Sequence, residues 1–474
     1  MLKTSPQFIP TLNTEFVPAV LWNRAYKSVV AATPDRRALA LALVRADGEA
    51  SVWQGEVLPA NHPQAALTLR YVERLLKFLL WQRGGCRVRL AGAAEVAAHL
   101  NEVYSPTGAR AFDHRFMGDE VYGKTFAVEA CGWDELPQEK STGLPIGRNL
   151  DGCRIGFDLG GSDRKVAALI DGKVVFSEEI GWDPYFQADP TYHIEGVQDS
   201  LLRAAAHLPR VDAIGGSSAG VYVNNEVRVA SLFRGVPRDR FEANIRRMFF
   251  DLQTRWNGIP FEVVNDGEVT ALAGSMSLGD NAVLGVSMGT SMAGGYVTPS
   301  GGITPWLNEL AFAPIDYAEE AAVDEWSGDR GCGVQYFSQQ GVNRLAQRAG
   351  IVFSEAMPLA ERLVVVQTSM AAGDDRALAI YESIGVMLGY SIAHYAEFYE
   401  LRNLLVLGRV TTGSGGEVIL EKAGEVLRAE FPQLAAGLRL TMPDEKDKRH
   451  GQAVAAASLP ALTPVCAAAN LASC

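Results

Sequence analysis

The stretch Arg154-Ile-Gly-Phe-Asp-Leu-Gly-Gly-Ser-Asp-Arg-Lys-Val-Ala-Ala-Leu-Ile-Asp-Gly-Lys-Val-Val175 decides how the rest of the chain is read. It runs as an apolar strand, a tight turn holding Gly160 and Gly161, a second strand, Asp171-Gly172, and a third strand. Two glycines let a backbone approach a phosphate closely, because no Cβ intervenes. Successive N–H groups in such a turn form an anion-binding concavity. Asp158 closes the first strand, where a carboxylate can meet a metal ion. The competing reading is a structural hairpin. A hairpin needs only one Gly or an Asn-Gly, whereas here Gly160-Gly161-Ser162 lies between Asp158 and Lys165.

Three further motifs follow in order. Val264-Asn-Asp-Gly-Glu-Val-Thr ends an apolar strand and opens a helix. Asp266 can cap that helix, or stand at a strand's C-terminal end, where ligands bind in open α/β sheets, and accept a proton from an attacking hydroxyl; both roles can hold together. Gly285-Val-Ser-Met-Gly-Thr-Ser-Met-Ala-Gly-Gly is a second hairpin with Gly289-Thr290-Ser291 at its tip, suited to phosphate oxygens or to a surface turn. Val406-Leu-Gly-Arg-Val-Thr-Thr-Gly-Ser-Gly-Gly carries a strand through Gly408 and Gly413 into a helix, which seats an adenosine or a phosphate, or simply connects two elements.

The chain has 474 residues, 48% of them hydrophobic, enough for two or three domains with sizeable cores. Asp and Glu outnumber Lys and Arg by 55 to 43. That balance weighs against nucleic acid as the main partner, since phosphate backbones call for Lys and Arg. The cysteines Cys86, Cys131, Cys153, Cys332, Cys466 and Cys474 form no C-x-x-C pair, as expected of reduced thiols in a cytoplasmic protein. The N-terminus lacks the apolar core of a signal peptide, and no apolar run is long enough for a membrane span. The Ala-rich end from Gln452, broken by Pro460 and Pro464, reads as a docked terminal helix.

Residues 1–150 read as a separate α/β domain. It has strands at 37–45 and 50–58 around Asp47-Gly48, a helix at 65–81, a strand at 86–92 and a helix at 93–103, with a linker at 137–151. Residues 151–280 and 281–474 each repeat a hairpin followed by strand and helix, which suggests two similar lobes with a cleft between them. In the first, helices are expected at 196–208, 238–257 and 268–278. In the second, a mostly helical stretch runs from 338 to 402. Residues 37–103 are either a third, degenerate copy or an unrelated α/β domain. Gly118-Asp-Glu-Val-Tyr-Gly-Lys-Thr125 spells the P-loop pattern. That chemistry needs a strand before it and a helix after it; a strand follows instead, and Asp119 and Glu120 would repel phosphate.

Taken together, the four motifs resemble the sugar kinase, Hsp70 and actin superfamily, and within it the repressor–ORF–kinase (ROK) sugar kinases, over residues 154–455. The resemblance implies two ribonuclease-H-like (actin-like ATPase) α/β lobes around a cleft, plus an extra N-terminal α/β domain. It implies an ATP-dependent phosphotransferase acting on a sugar-like hydroxyl, with ATP and Mg²⁺ as cofactors. Asp266 would be the catalytic base. Gly160, Gly161, Ser162, Lys165, Gly289, Thr290, Ser291, Gly408 and Gly413 would hold the nucleotide, and Asp158 would hold Mg²⁺ through water. Asn265, Glu309 and Ser218 would meet the substrate. Family members are often dimers, so a homodimer is one expectation.

The chain also departs from the pattern. The family's E-x-G-H motif reads Glu309-Leu-Ala-Phe312, its zinc cysteines are reduced to Cys332, and its sugar-binding Glu falls on Val334. One thiolate and no histidine cannot build a tetrahedral site, so no zinc is expected. These losses keep open a catalytically inactive sugar or nucleotide sensor of the same fold, and an actin-like ATPase without a small acceptor.

Overall fold

The computed structural model describes residues 2–140, 146–443 and 448–462; Pro464, Cys466, Cys474 and residues 141–145 of the expected linker lie outside the described residues. The chain divides into two compact units: 1–144 with 280–300 and 304–443, and 145–279 with 301–303 and 444–474.

In the first unit, strands β1 (Arg37–Val44), β2 (Ala50–Val57), β3 (Arg87–Ala91) and β4 (Ala127–Ala130) form a sheet in the order β2-β1-β3-β4. The β1–β2 turn is the one Asp47-Gly48 announces, with Gly48 at φ 84°. β1 runs antiparallel to β3, so this sheet is not a third copy of the lobe pattern, whose first strand needs a parallel neighbour. The P-loop letters fall on a helical turn, Phe116–Tyr122, that follows the helix Ala111–Arg115 and precedes β4. That order is the reverse of what phosphate binding needs.

The second unit is built on β5 (Cys153–Leu159), β6 (Asp163–Ile170), β7 (Lys173–Gly181), β8 (Ala213–Ser218), a small hairpin of β9 (Val221–Val223) and β10 (Glu226–Val229), and β11 (Phe261–Asn265). The sheet order is β11-β8-β5-β6-β7, with β5, β8 and β11 parallel and β5, β6 and β7 antiparallel. All of β5 is buried, as expected of a central strand covered on both faces. On β6 the two-residue period separates the faces. Val166 and Ala168 join the core with Val197 and Leu201 of the helix Pro190–Ala205, while Ala167 and Leu169 meet Ala453 and Ala457. That helix starts earlier than its apolar pattern because Asp189 caps it by accepting from the Thr191 N–H, with Pro190 in its first turn. The single helix expected at 238–257 is three short pieces, Arg238–Arg240, a π-turn at Phe241–Ile245, and Met248–Arg255.

The helix Lys448–Ala457 lies on β5, β6 and β8 of the second unit. It comes so close that a Cβ on Gly156 would stand 1.8 Å from the Ala453 carbonyl, and one on Gly215 1.7 Å from that of Ala456. Two glycines on neighbouring strands and an alanine-rich helix are thus one packing solution. Arg154, fully buried, ties the end of this segment by donating 2.7 Å to the Pro460 carbonyl.

Back in the first unit, β12 (Val283–Met288), β13 (Met292–Val297), β14 (Asn403–Leu407) and β15 (Arg439–Thr441) order as β13-β12-β14-β15. An antiparallel hairpin precedes two parallel strands, repeating the winding of β5, β6, β8 and β11. The chain therefore holds two α/β lobes of actin-like ATPase type and an added N-terminal portion. That portion does not stand apart: Phe16, Val20, Leu21 and Phe78 lie in one core with Leu284, Val286, Val334 and Ile392. The helix Ala19–Ala31, absent from the sequence reading, supplies two of these residues.

Candidate active site

The parallel register of β5, β8 and β11 places Asp158 beside Ser217, and Ser218 beside Asn265. The C-terminal ends of three strands thus carry Asp158, Ser217, Ser218 and Asn265, with Asp266 next in the chain. Ser217 Oγ donates 2.6 Å to Asp158 Oδ1, and the Tyr222 hydroxyl donates 2.6 Å to Ser218 Oγ. Neither Ser217 nor Tyr222 was singled out from the sequence; the Ser217-Ser218 pair closing a strand was the available signal.

Asn265, not Asp266, is the N-cap of the helix Asp266–Leu278: its Oδ1 accepts 2.7 Å from the Gly267 N–H. Its Nδ2 donates 2.7 Å to the Gly220 carbonyl, so this side chain fixes the turn. Asp266 is the first helical residue and also accepts from the Gly267 N–H, at 3.0 Å. Burial, then the Asp158 charge, push its pKa up to about 6 against that bond. Burial likewise raises Asp158, opposed by the Ser217 hydroxyl and Lys165. Two carboxylates in one desolvated place are a donor set suited to hydrated Mg²⁺, which is held through one or two carboxylates and keeps several waters.

The first hairpin tip is braced rather than loose. Gly160 N–H donates 2.9 Å to the Asp163 carbonyl, and Trp182 donates through Nε1 to Gly160 O at 2.8 Å and through its backbone N–H to Ser162 O at 3.0 Å. A Cβ on Gly161 would lie 2.0 Å from the Tyr185 hydroxyl, so this glycine answers a packing demand of its own. Ser162 is exposed and donates 2.8 Å to Asp163; Lys165 Nζ stands 3.4 Å from the same carboxylate.

The remaining candidates belong to the other unit. Thr290 and Ser291 are exposed at the β12–β13 tip, and the Gln339 N–H donates 2.9 Å to the Gly289 carbonyl. Gly408, at φ 105°, follows β14, and a Cβ there would sit 2.4 Å from the Met288 carbonyl. Gly413, at φ 78°, is the N-cap of the helix Ser414–Glu430. The second hairpin tip and the Gly-rich loop therefore lie together, at the ends of paired parallel strands. Glu309 is half-buried and its N–H donates 2.9 Å to the Trp81 carbonyl.

The residues at the family's zinc positions do not fit a zinc ion. Phe312 stacks on Trp81 at 4.3 Å, Cys332 is buried, and among the described residues no group of three or more His, Cys, Asp or Glu is arranged to hold a metal. Val334, where the resemblance implies a sugar-binding Glu, is buried in the core.

Solved structures share this architecture. A ROK hexokinase from Thermus thermophilus superposes with a TM-score of 0.51 at 17% identity, over 64% of this chain and 96% of that one. A ROK family transcriptional regulator, a homologue of the E. coli MLC protein, gives 0.50 at 18% identity, over 65% and 78%. No family profile and no curated protein matches the sequence. The fold is that of the ROK sugar kinases and regulators. Among the described residues, no helix is long and apolar enough to cross a membrane.

Proposed function

We propose that the chain is an ATP-dependent phosphotransferase whose acceptor is a hydroxyl of a sugar-like small molecule, working in the cytoplasm, where ATP is supplied. The observation that carries this is Asp266: a carboxylate at a strand end and helix start, desolvated beside a second carboxylate, with its pKa at about 6. Such a group is ionised at neutral pH yet basic enough to take a proton from an attacking hydroxyl. Asp158, with Asp266 nearby, would hold hydrated Mg²⁺, which supplies charge neutralisation to the phosphates when bound. Gly160, Gly161, Ser162 and Lys165 would bind phosphate oxygens, as would Gly289, Thr290 and Ser291. Gly408 and Gly413 would border the adenosine. Ser218 and Glu309 would meet the acceptor, and Asn265 would hold the turn that aims Asp266. Catalysis then consists mainly of positioning and charge stabilisation.

Val334 and Phe312 favour a second reading, a ligand sensor without turnover, since both replace polar groups of the kinase pattern. An ADP-release screen against sugars, amino sugars and sugar acids separates the two. A kinase releases ADP with one acceptor class and loses this in Asp266→Asn while still binding ATP. A sensor binds without release, and the substitution leaves its binding unchanged.

A further inference from the structure

The residues that do not fit zinc sit against a different device. Asp329 accepts from both terminal nitrogens of Arg74 at 3.0 and 3.2 Å, pairs with Arg110 at 2.5 Å, and lies 3.3 Å from Lys77 Nζ. Lys77 donates 3.0 Å to each oxygen of Asp113, which also accepts 2.5 Å from Trp81 Nε1. Glu73 closes the set, accepting from Arg74 at 2.6 and 2.7 Å and from Arg110 at 2.6 Å. Three cations thus face three carboxylates, and the Lys77, Asp113 and Asp329 side chains are 0%, 1% and 3% exposed. Five of the six groups come from residues 73–113; Asp329 comes from the second lobe, more than 200 positions away.

We infer that this buried, charge-balanced cluster fastens the 324–338 segment of the second lobe, so that the N-terminal portion does the holding and the lobe needs no zinc. The segment it grips leads toward the candidate site. Cys332 donates 3.7 Å to Asp329, and Gly333, next in sequence, donates 3.0 Å to the Ala313 carbonyl and leaves room for Met292 of β13. Ser338 then caps the helix whose first residue, Gln339, donates to Gly289. Cys332 is buried and offers one thiol, where a structural zinc site takes four ligands. Residues 1–144 are on this account a structural part of the lobe, not a detachable regulatory domain.

The test uses the full chain and needs no turnover, so it stands whatever the outcome for the kinase proposal. Metal analysis of the purified protein, with thermal unfolding before and after a zinc chelator, is run beside Lys77→Met, Asp113→Asn and the double variant. The expected result is no stoichiometric zinc and an unfolding midpoint indifferent to chelator. Each single substitution lowers the midpoint by roughly 5 °C, because it strands a buried charge. The double variant, neutral again, loses clearly less than the sum of the two, and folds even if a single variant does not. Stoichiometric zinc with a chelator-sensitive midpoint, single variants as stable as the parent, or an additive double would each overturn the inference.

Discussion

Asp266 starts a helix, where the macrodipole favours a charged carboxylate, yet burial and the Asp158 charge push its pKa up to about 6. Two consequences follow for this one residue. If it is the base, kcat/KM falls as pH drops through about 6, because protonation removes the acceptor for the hydroxyl proton, and Asp266→Asn lowers kcat by about 100- to 10,000-fold. The second concerns stability, and its sign is fixed. A carboxylate whose pKa is higher folded than unfolded binds more protons in the native state, so stability is lost as pH rises from the unfolded value through about 6. Asp266→Asn should therefore unfold at a higher temperature than the parent at pH 8, and the gain should shrink at pH 5. Equal midpoints at both pH values would mean that Asp266 is not desolvated as described. The position of Asp266 between strand and helix was legible because Asn-Asp closes an apolar strand; the division of labour that makes Asn265 the cap was not, since either residue type can fill that position.

Among the elements, the hairpins and the strands after them were readable because each carries its own signal. β5 carries Ile155, Phe157 and Leu159 at alternate positions, β6 ends in the apolar run Val166–Ile170, and Asp171-Gly172 marks the turn, with Gly172 at φ 77°. The start of the Pro190–Ala205 helix was missed because its first turn is polar and only the Asp189-Pro190 cap marks it. The docking of the terminal helix rests on an absence of side chains, at Gly156 and Gly215, that no periodicity reveals. Gly215→Val should force the Lys448–Ala457 helix off the sheet, costing about 1–3 kcal/mol or more by overpacking, and expose the C-terminal segment to limited proteolysis. Persistence of the parent's cleavage pattern would contradict the packing. Gly161→Ala, by contrast, meets the tip of the Tyr185 side chain and should disturb only the hairpin, which a fluorescent ATP analogue would report as weakened nucleotide binding at an unchanged unfolding midpoint.

On the scale of the whole molecule, the lobes came through in the sequence while the N-terminal portion did not, and the reason is separation. Lys77, Arg74 and Asp329 are ordinary charged residues until the fold brings them together, and Phe78 reads as one apolar position of a helix until it stacks on Phe398 at 4.1 Å. The shared core predicts that removing residues 1–144 leaves the second lobe unable to fold alone, since Phe78, buried in that core, covers apolar surface worth about 3–5 kcal/mol on truncation. A chain starting near residue 146 that is soluble and unfolds cooperatively at the parent's temperature would show the opposite. The same scale explains why the candidate acceptor side is the least legible part: Val334 and Phe312 have left the sugar-kinase pattern, and their new neighbours belong to the core and to the N-terminal aromatic cluster.

The most direct measurement is phosphorus NMR of the acceptor recovered from a reaction with ATP and Mg²⁺, beside the same reaction with Asp266→Asn. The expected result is a phosphomonoester signal on the acceptor with the parent protein, and none with the variant, which still binds ATP. Free phosphate without a phosphorylated acceptor, or an ester signal undiminished in Asp266→Asn, would contradict the assignment of a phosphotransferase driven by Asp266.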